Sequence, residues 1–368
     1  MSRLSALIIK EFLALLRDAR SRFVIIGPPI IQLLVFGYAA TFDLTHVPLA
    51  VYDESCSAES RELAARFTGS PNFRHVATLQ DDSEIASVIE RKQVLMVLHI
   101  GPQFSRNLRI NGTANVQVIV DGRDSNTAMV ATGYAQTIIQ NYNIEWARRQ
   151  GINSPPAQLA TRAWFNSNLV SRWFIVPGIV GLLTLVVTMI VTALSVARER
   201  EQGTFDQLLV TPYHPWEILV GKAVPGFVIG LLEATFIITM AVVWFQVPLL
   251  GSLWTLYIGV ALFLLSAIGV GLMISSLSVT QQQGLLGAFL FLVPAIILSG
   301  FSTPIANMSP LVQKLTYINP MRYFMMILRG VFLQNTPFHL LLDQFWPLAV
   351  IGTVSLTLAG WLFRRRMY

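Results

Sequence analysis

Ala197-Arg-Glu-Arg-Glu-Gln-Gly-Thr-Phe-Asp-Gln-Leu-Leu-Val-Thr-Pro212 is a polar island between two long apolar runs. Upstream, Trp173 to Ala197 holds no Asp, Glu, Lys or Arg, and downstream Ala223 to Val247 holds only Glu233. About 20 apolar helical residues cross a bilayer core, so both runs are long enough and the island sits at a membrane surface. Thr204 precedes Gln207 by three residues, the spacing of a helix capping box, and Gly203 allows a turn just before it. Phe205, Leu208 and Leu209 then share one face of a short helix that Thr211-Pro212 stops. Such a helix, on the charged stem Arg198, Glu199, Arg200 and Glu201, either enters another protein's groove or lies on lipid headgroups, and spacing alone leaves both open.

Composition agrees with a polytopic membrane protein. Of 368 residues, 54% are hydrophobic and 12% charged, with a mean hydropathy of +0.57, whereas soluble domains carry about 25% charged residues. The net charge of +6 does not indicate nucleic acid, because the basic residues gather at the ends of apolar spans instead of forming one patch. The single cysteine, Cys56, excludes an intrachain disulfide.

From its start, Met1 to Arg22 reads as an amphipathic interfacial helix with Leu4, Leu7, Ile8, Phe12, Leu15 and Leu16 on its apolar stripe. Residues 23–42 form the first span, which Gly27-Pro28-Pro29 is expected to break or kink. Residues 43–172 have soluble composition and read as an inserted α+β domain. Strands are expected at Val47–Tyr52, Val94–Ile100 and Val116–Val120, and helices at Ser57–Phe67, Asp82–Arg91, Phe104–Ile110 and Ser125–Arg149, with a small mixed sheet. The further spans are 173–197, 223–247 (entered through Pro225-Gly226), 253–274, 284–298 and 346–363, six in all. The island region is 198–217, residues 299–334 read as two short helices dipping into the bilayer, and 364–368 is a tail.

Basic flanks lie at the N-terminal segment, at Arg198, Arg200 and Lys222, and at Arg364 to Arg366. Six spans put all three on one side, the cytoplasmic one, with both termini. The inserted domain and residues 299–334 then face outward.

With these residues in place, the chain resembles the permease subunits of ABC-2-type exporters, within them a bacterial drug-efflux subgroup. Residues 197–212 are similar to the family's coupling-helix signature, which Gly221-Lys-Ala-Val-Pro225 continues. Leu298-Ser-Gly-Phe301, Pro304-Ile305, Asn307-Met308 and Asn319-Pro-Met-Arg-Tyr323 resemble its outer re-entrant signature, giving Gly300, Pro304, Asn319, Pro320 and Arg322 a place in that motif. Asp121-Gly-Arg-Asp-Ser-Asn126 and Arg162-Ala-Trp-Phe-Asn166 look like tracts of the subgroup's outer domain. A departure is Phe205-Asp206, where the family more often has Leu-Glu or Met-Glu.

The resemblance implies a type II ABC exporter-like fold in the bacterial inner membrane and a dimer with a second permease, identical or homologous. It also implies contact with ABC ATPase subunits through Arg198, Glu199, Arg200, Glu201, Gly203, Thr204, Phe205, Asp206, Leu208 and Leu209, and leaves room for a periplasmic adaptor. ATP and Mg²⁺ are expected on the partner: a phosphate-cradling loop needs Gly-x-x-x-x-Gly-Lys-Ser/Thr, and Gly221-Lys222 is followed by Ala with Trp216 in place of the first Gly. No enzymatic activity, resident cofactor or metal site is expected, since His46, His75 and His99 have no metal-ligand spacing.

Glu233 is the candidate inside the membrane, either facing the substrate pathway and receiving a cation or proton, or simply held between helices. Met325, with Met321 and Met326, either lines an exit or packs. Lipid, polysaccharide or peptide are alternative cargoes. An ion-driven secondary transporter, for which Glu233 is the hint, and a membrane-anchored binding protein are alternative classes.

Overall fold

The computed structural model of the chain describes residues 3–17, 19–39, 44–111, 114–123, 125–151, 170–205 and 213–367. It divides into two compact units, one of residues 1–40 and 163–368 and the other of residues 41–162.

The smaller unit contains β1 (Val47–Asp53), α3 (Ala58–Thr68), β2 (Phe73–Leu79), α4 (Ser83–Glu90), β3 (Met96–Ile100), α5 (Phe104–Asn111), β4 (Val116–Val120) and α6 (Ser125–Arg149). The sheet order is β2-β1-β3-β4. The strand β1 runs parallel to β2 and β3, while β4 is antiparallel to β3, so the sheet is mixed as expected. Alternation along β1 serves two cores. Val47, Leu49 and Val51 join Leu63, Phe67, Leu98, Phe104 and Tyr142 on one side, and Ala50 joins Ile85, Val88 and Val97 on the other.

Strand β2 was not foreseen. Its register against β1 slips between Leu49 and Ala50, so that His75 pairs with Leu49 but Ala77 with Ala50. A bulge of this kind flips the faces beyond it. Phe73 and Leu79, six residues apart, therefore enter opposite cores, and no period-2 signal survives in the sequence.

The larger unit is helical. It comprises α1 (Arg3–Arg17), α2 (Ala19–Ala39), α7 (Ser171–Glu201), α8 (Pro215–Val243), α9 (Leu253–Leu277), α10 (Gln281–Ile297), α11 (Pro310–Leu315), α12 (Pro320–Leu333) and α13 (Phe338–Met367). Among the described residues, four helices are long and apolar enough to cross a membrane: Ser171–Glu201, Trp216–Val243, Leu253–Leu277 and Phe338–Arg365. The apolar stretches Ile25–Tyr38 and Gln281–Ile297 are shorter. At 1.5 Å per residue the latter reaches only about 26 Å. The chain is thus a mostly helical, multi-pass membrane protein.

Several boundaries differ from expectation. The interfacial helix is described over Arg3–Arg17, and its buried stripe is Leu7, Glu11 and Leu15, so an acidic side chain lies where only apolar ones were expected. Helix α2 runs through Pro28 and Pro29 without a break, at the cost of two missing N–H donors and of ring contacts with the carbonyls one turn back. Likewise α8 starts at Pro215, with the Glu217 carboxylate accepting from the His214 N–H at 2.7 Å, and continues through Pro225.

Residues 299–334 contain two short α-helices, as expected, with 3₁₀ turns before and between them. Short turns and α11 lead to α12, whose Met321, Phe324, Met325, Ile327, Leu328, Val331 and Phe332 are buried against the other helices. The rings of Phe263 and Phe324 stack at 4.2 Å.

Candidate functional site

Four charges from three helices meet where α7 ends. The Lys10 ammonium lies 2.6 Å from Glu199 and 3.7 Å from Glu11, and the Lys222 ammonium lies 3.2 Å from Glu11 and 2.6 Å from Glu199. The result is a closed ring of alternating sign linking α1, α7 and α8. Lys222 has a side-chain exposure of only 1%, and a lysine so buried keeps its charge only when carboxylates surround it. Burial pushes the Glu11 carboxyl above its ordinary range; Lys222 and Lys10 pull it down while the neighbouring Glu199 pushes it further up.

The ring floors a cavity of about 430 Å³ lined by Leu7, Leu15 and Ala14 of α1, Val191 and Arg198 of α7, and Pro225 of α8, among others. Helical spacing explains its shape: Leu7, Lys10, Glu11 and Ala14 are one inward face of α1. Of the ring, only Glu199 was singled out from sequence. Lys10, Glu11 and Lys222 were missed because the pairs Lys10–Glu199 and Glu11–Lys222 join residues about 190 to 210 apart in sequence. A charged residue at position 11, inside an apolar stripe, was the available signal.

The stem of the island is tied down residue by residue. The Arg200 guanidinium donates to the Ser276 and Ser278 carbonyls at 2.8 and 3.1 Å and lies 4.9 Å above the Phe205 ring. The Glu201 carboxylate accepts from the Gln281 N–H at 2.8 Å. Gly203 has φ +69°, the left-handed turn its lack of a side chain permits. Thr204 donates its hydroxyl to the Glu199 carbonyl at 3.3 Å; Gln207, its expected capping partner, lies outside the described residues, as do Asp206, Leu208 and Leu209.

Two assignments change. Phe205 does not belong to a face offered to a partner: it is buried with Val196, Ile218 and Phe363, its ring 5.9 Å from that of Phe363 and edge-on to it. The aromatic ring is the largest apolar surface on the stem and is buried within the chain. Glu199 is likewise inside the ring, bracing the stem instead of facing outward.

Glu233 is buried in α8, with a relative exposure of 7%, and neither carboxylate oxygen has a hydrogen-bond partner among the described residues. Met325 is not on a surface: it is buried beside Gly178 and Gly181 of α7, close enough that a Cβ on Gly178 would lie 3.1 Å from its methyl.

The motif of residues 299–323 forms an elbow. The Asn319 amide donates to the Ala295 carbonyl at 2.7 Å and its oxygen accepts from the Met321 N–H at 3.1 Å, which caps α12 with Pro320 in the first turn. Arg322 donates to the Thr316 hydroxyl and stacks 4.1 Å over Tyr317. Gly300 has φ +81° and its carbonyl accepts from Arg329 at 3.2 Å; Pro304 precedes a short 3₁₀ turn.

His99 pairs with Glu54 at 2.6 Å and stacks on Tyr52. Among the described residues, no group of three or more His, Cys, Asp or Glu could hold a metal ion. Gly221-Lys222 lies within α8 with its ammonium held by two carboxylates, a geometry unsuited to cradling phosphate.

Long apolar helices with a charged stem tied between them are the architecture of a multi-pass membrane protein. The chain belongs to the ABC-2 family of transporter proteins, whose family model matches residues 20–361. It is 41% identical, over 99% of both chains, to the probable multidrug ABC transporter permease YbhR of Escherichia coli K12. It is also 34% identical to the probable multidrug permease YbhS of the same organism, over 99% of this chain and 97% of that one, and 28% identical to its inner membrane transport permease YhhJ, over 97% and 96%. The chain is accordingly a membrane subunit and not an ATPase, and its family implies an ABC ATPase as partner.

Proposed function

We propose that the chain is the transmembrane half of an ATP-driven exporter that moves drugs or other amphipathic compounds out of a bacterial cell. The observation carrying this is the braced stem: Arg200, Glu201 and Phe205 are tied into the helical unit, and Glu199 passes any displacement of the island directly to α1 and α8. The names of the relatives YbhR and YbhS favour a drug-like cargo.

In this reading six helices span the inner membrane, with α2 and α10 as the shorter two. The basic flanks put the termini and the island in the cytoplasm and the smaller unit on the outer face, where an adaptor could meet it. A second permease completes the pathway, and ATP with Mg²⁺ sits on the ATPase. The island's Asp206, Leu208 and Leu209 enter a groove of that ATPase. Two leucines at about 1.5 to 3 kcal/mol each suffice for a joint that moves with nucleotide closure.

The test is purification of the chain with its bound proteins, then Leu208→Asp. An ATPase should co-purify, and the variant should remain in the membrane while export stops. Absence of any ATPase, or undiminished export by Leu208→Asp, overturns the reading.

A further inference from the structure

Three side chains in the helical core are buried and polar and have no hydrogen-bond partner among the described residues: Glu233 of α8 and the hydroxyls of Thr184 and Thr188 of α7. Both threonines are wholly buried. The packing of α7 on α8 brings the three within about one turn of each other. A Cβ on Gly226 would lie 2.7 Å from the Thr192 methyl, and one on Gly230 would lie 2.6 Å from the Thr188 hydroxyl. The helices are therefore antiparallel with Thr192 opposite Gly226 and Thr188 opposite Gly230. One turn further along each, Thr184 comes level with residues 233–234. Helix α2 reaches the same level: Ile25 packs with Val187, Val191 and Ile229, and the next turn brings buried Pro29, after which the missing N–H groups of Pro28 and Pro29 leave backbone carbonyls without their helical donors.

An isolated hydroxyl in a helix normally donates to the carbonyl four residues back, as Thr192 does to Thr188 at 2.7 Å. Thr184 and Thr188 do not. A carboxyl and two hydroxyls left free together constitute an acceptor set, and the group that satisfies three acceptors at once is an ammonium with three N–H donors.

The site also has an approach. The 430 Å³ cavity has Leu15, Val191 and Pro225 among its lining residues. Beyond it is one apolar layer, Leu15, Val187, Val191 and Ile229. Glu233 lies eight residues past Pro225, about 12 Å along the helix. The sequence along this line is acidic and basic mouth, apolar layer, acceptor site.

We propose that Glu233, Thr184 and Thr188 form a binding site for the protonated amine of an amphipathic cargo, loaded from the charged cavity through the Leu15, Val187, Val191 and Ile229 layer. The site rests on the exporter reading for its purpose and names the cargo class: alkylamines carrying N–H donors. The apolar layer separates the charged cavity from the acceptor site.

The test uses the full chain with its ATPase in nanodiscs, without nucleotide, and compares dodecylammonium with the neutral dodecanol by calorimetry. Glu233→Gln should weaken dodecylammonium at least ten-fold, and Thr184→Val with Thr188→Val several-fold, with dodecanol unaffected in both. Equal dodecylammonium affinity in wild type and Glu233→Gln overturns the proposal. If Glu233→Gln fails to assemble, the near-isosteric double valine variant decides, and unchanged affinity there overturns it. Because no ATP is present, a complex that exports nothing yet binds in a Glu233-dependent manner keeps this site while ending the exporter reading. An exporting complex whose affinity ignores Glu233 does the reverse.

Discussion

The charge ring at the end of α7 and the acceptor site in the middle of α7 and α8 are built from similar side chains and behave as opposites. In the ring, Lys222 and two glutamates are buried with the exposed Lys10 beside them, and each charge touches two of the other sign. In the acceptor site, one glutamate and two threonines are buried without a hydrogen-bond partner among the described residues. A buried charge costs several kcal/mol unless paired, so a closed set serves the fold and an open set is kept for something the fold does not supply. The two lie within about three turns of each other on α8, and only the completeness of their pairing tells them apart.

The largest expected effect comes from opening the ring. Lys222→Met should cost about 3 to 5 kcal/mol, because Glu11 and Glu199 are left buried with only the exposed Lys10 between them. A fall in the melting temperature of the detergent-purified complex measures it. Glu233→Leu should have the opposite sign, raising stability by about 1 to 3 kcal/mol as an unsatisfied polar group is removed, while binding of the amine is lost. If both variants lower stability alike, the contrast between the two regions fails.

A smaller effect tests the packing that aligns them. Gly271→Ala places a Cβ 1.9 Å from the Thr192 hydroxyl, and overpacking of this kind costs about 1 to 3 kcal/mol. The same melting assay reads it.

The smallest effect concerns the other unit, where an exposed network gives a reference for ordinary surface charge. Hydrogen bonds from Arg149 and Arg66 hold Glu62 down to about 2. A carboxylate whose folded value lies below its unfolded one contributes stability above the unfolded value near 4.5, and that contribution fades as pH falls from there toward 2. Amide exchange in α3 should accelerate over that window in the wild type and show less pH dependence in Glu62→Gln.

Much of the architecture was legible because periodicity and span length are local. The helices at 171–201, 253–277 and 338–367 and the strands β1, β3 and β4 all announce themselves in runs of a few residues. Strand β2 did not, since its bulge scrambles the alternation. The stem of the island was legible as a motif but not as a structure: nothing near Phe205 reveals that Phe363 receives it, and nothing near Lys222 reveals Glu11. Thr184 and Thr188 were invisible for the same reason, being ordinary residues in an apolar helix until Gly226 and Gly230 set the register.

That register has a mechanical meaning. Thr192 seated at Gly226 and Thr188 seated at Gly230 act like teeth in matching notches. Sliding α7 along α8 by less than a full turn, about 5.4 Å, would drive each tooth into a neighbouring side chain. The pair is thereby held in register, and any slide of α7 along α8 must first lift Thr192 and Thr188 out of their notches.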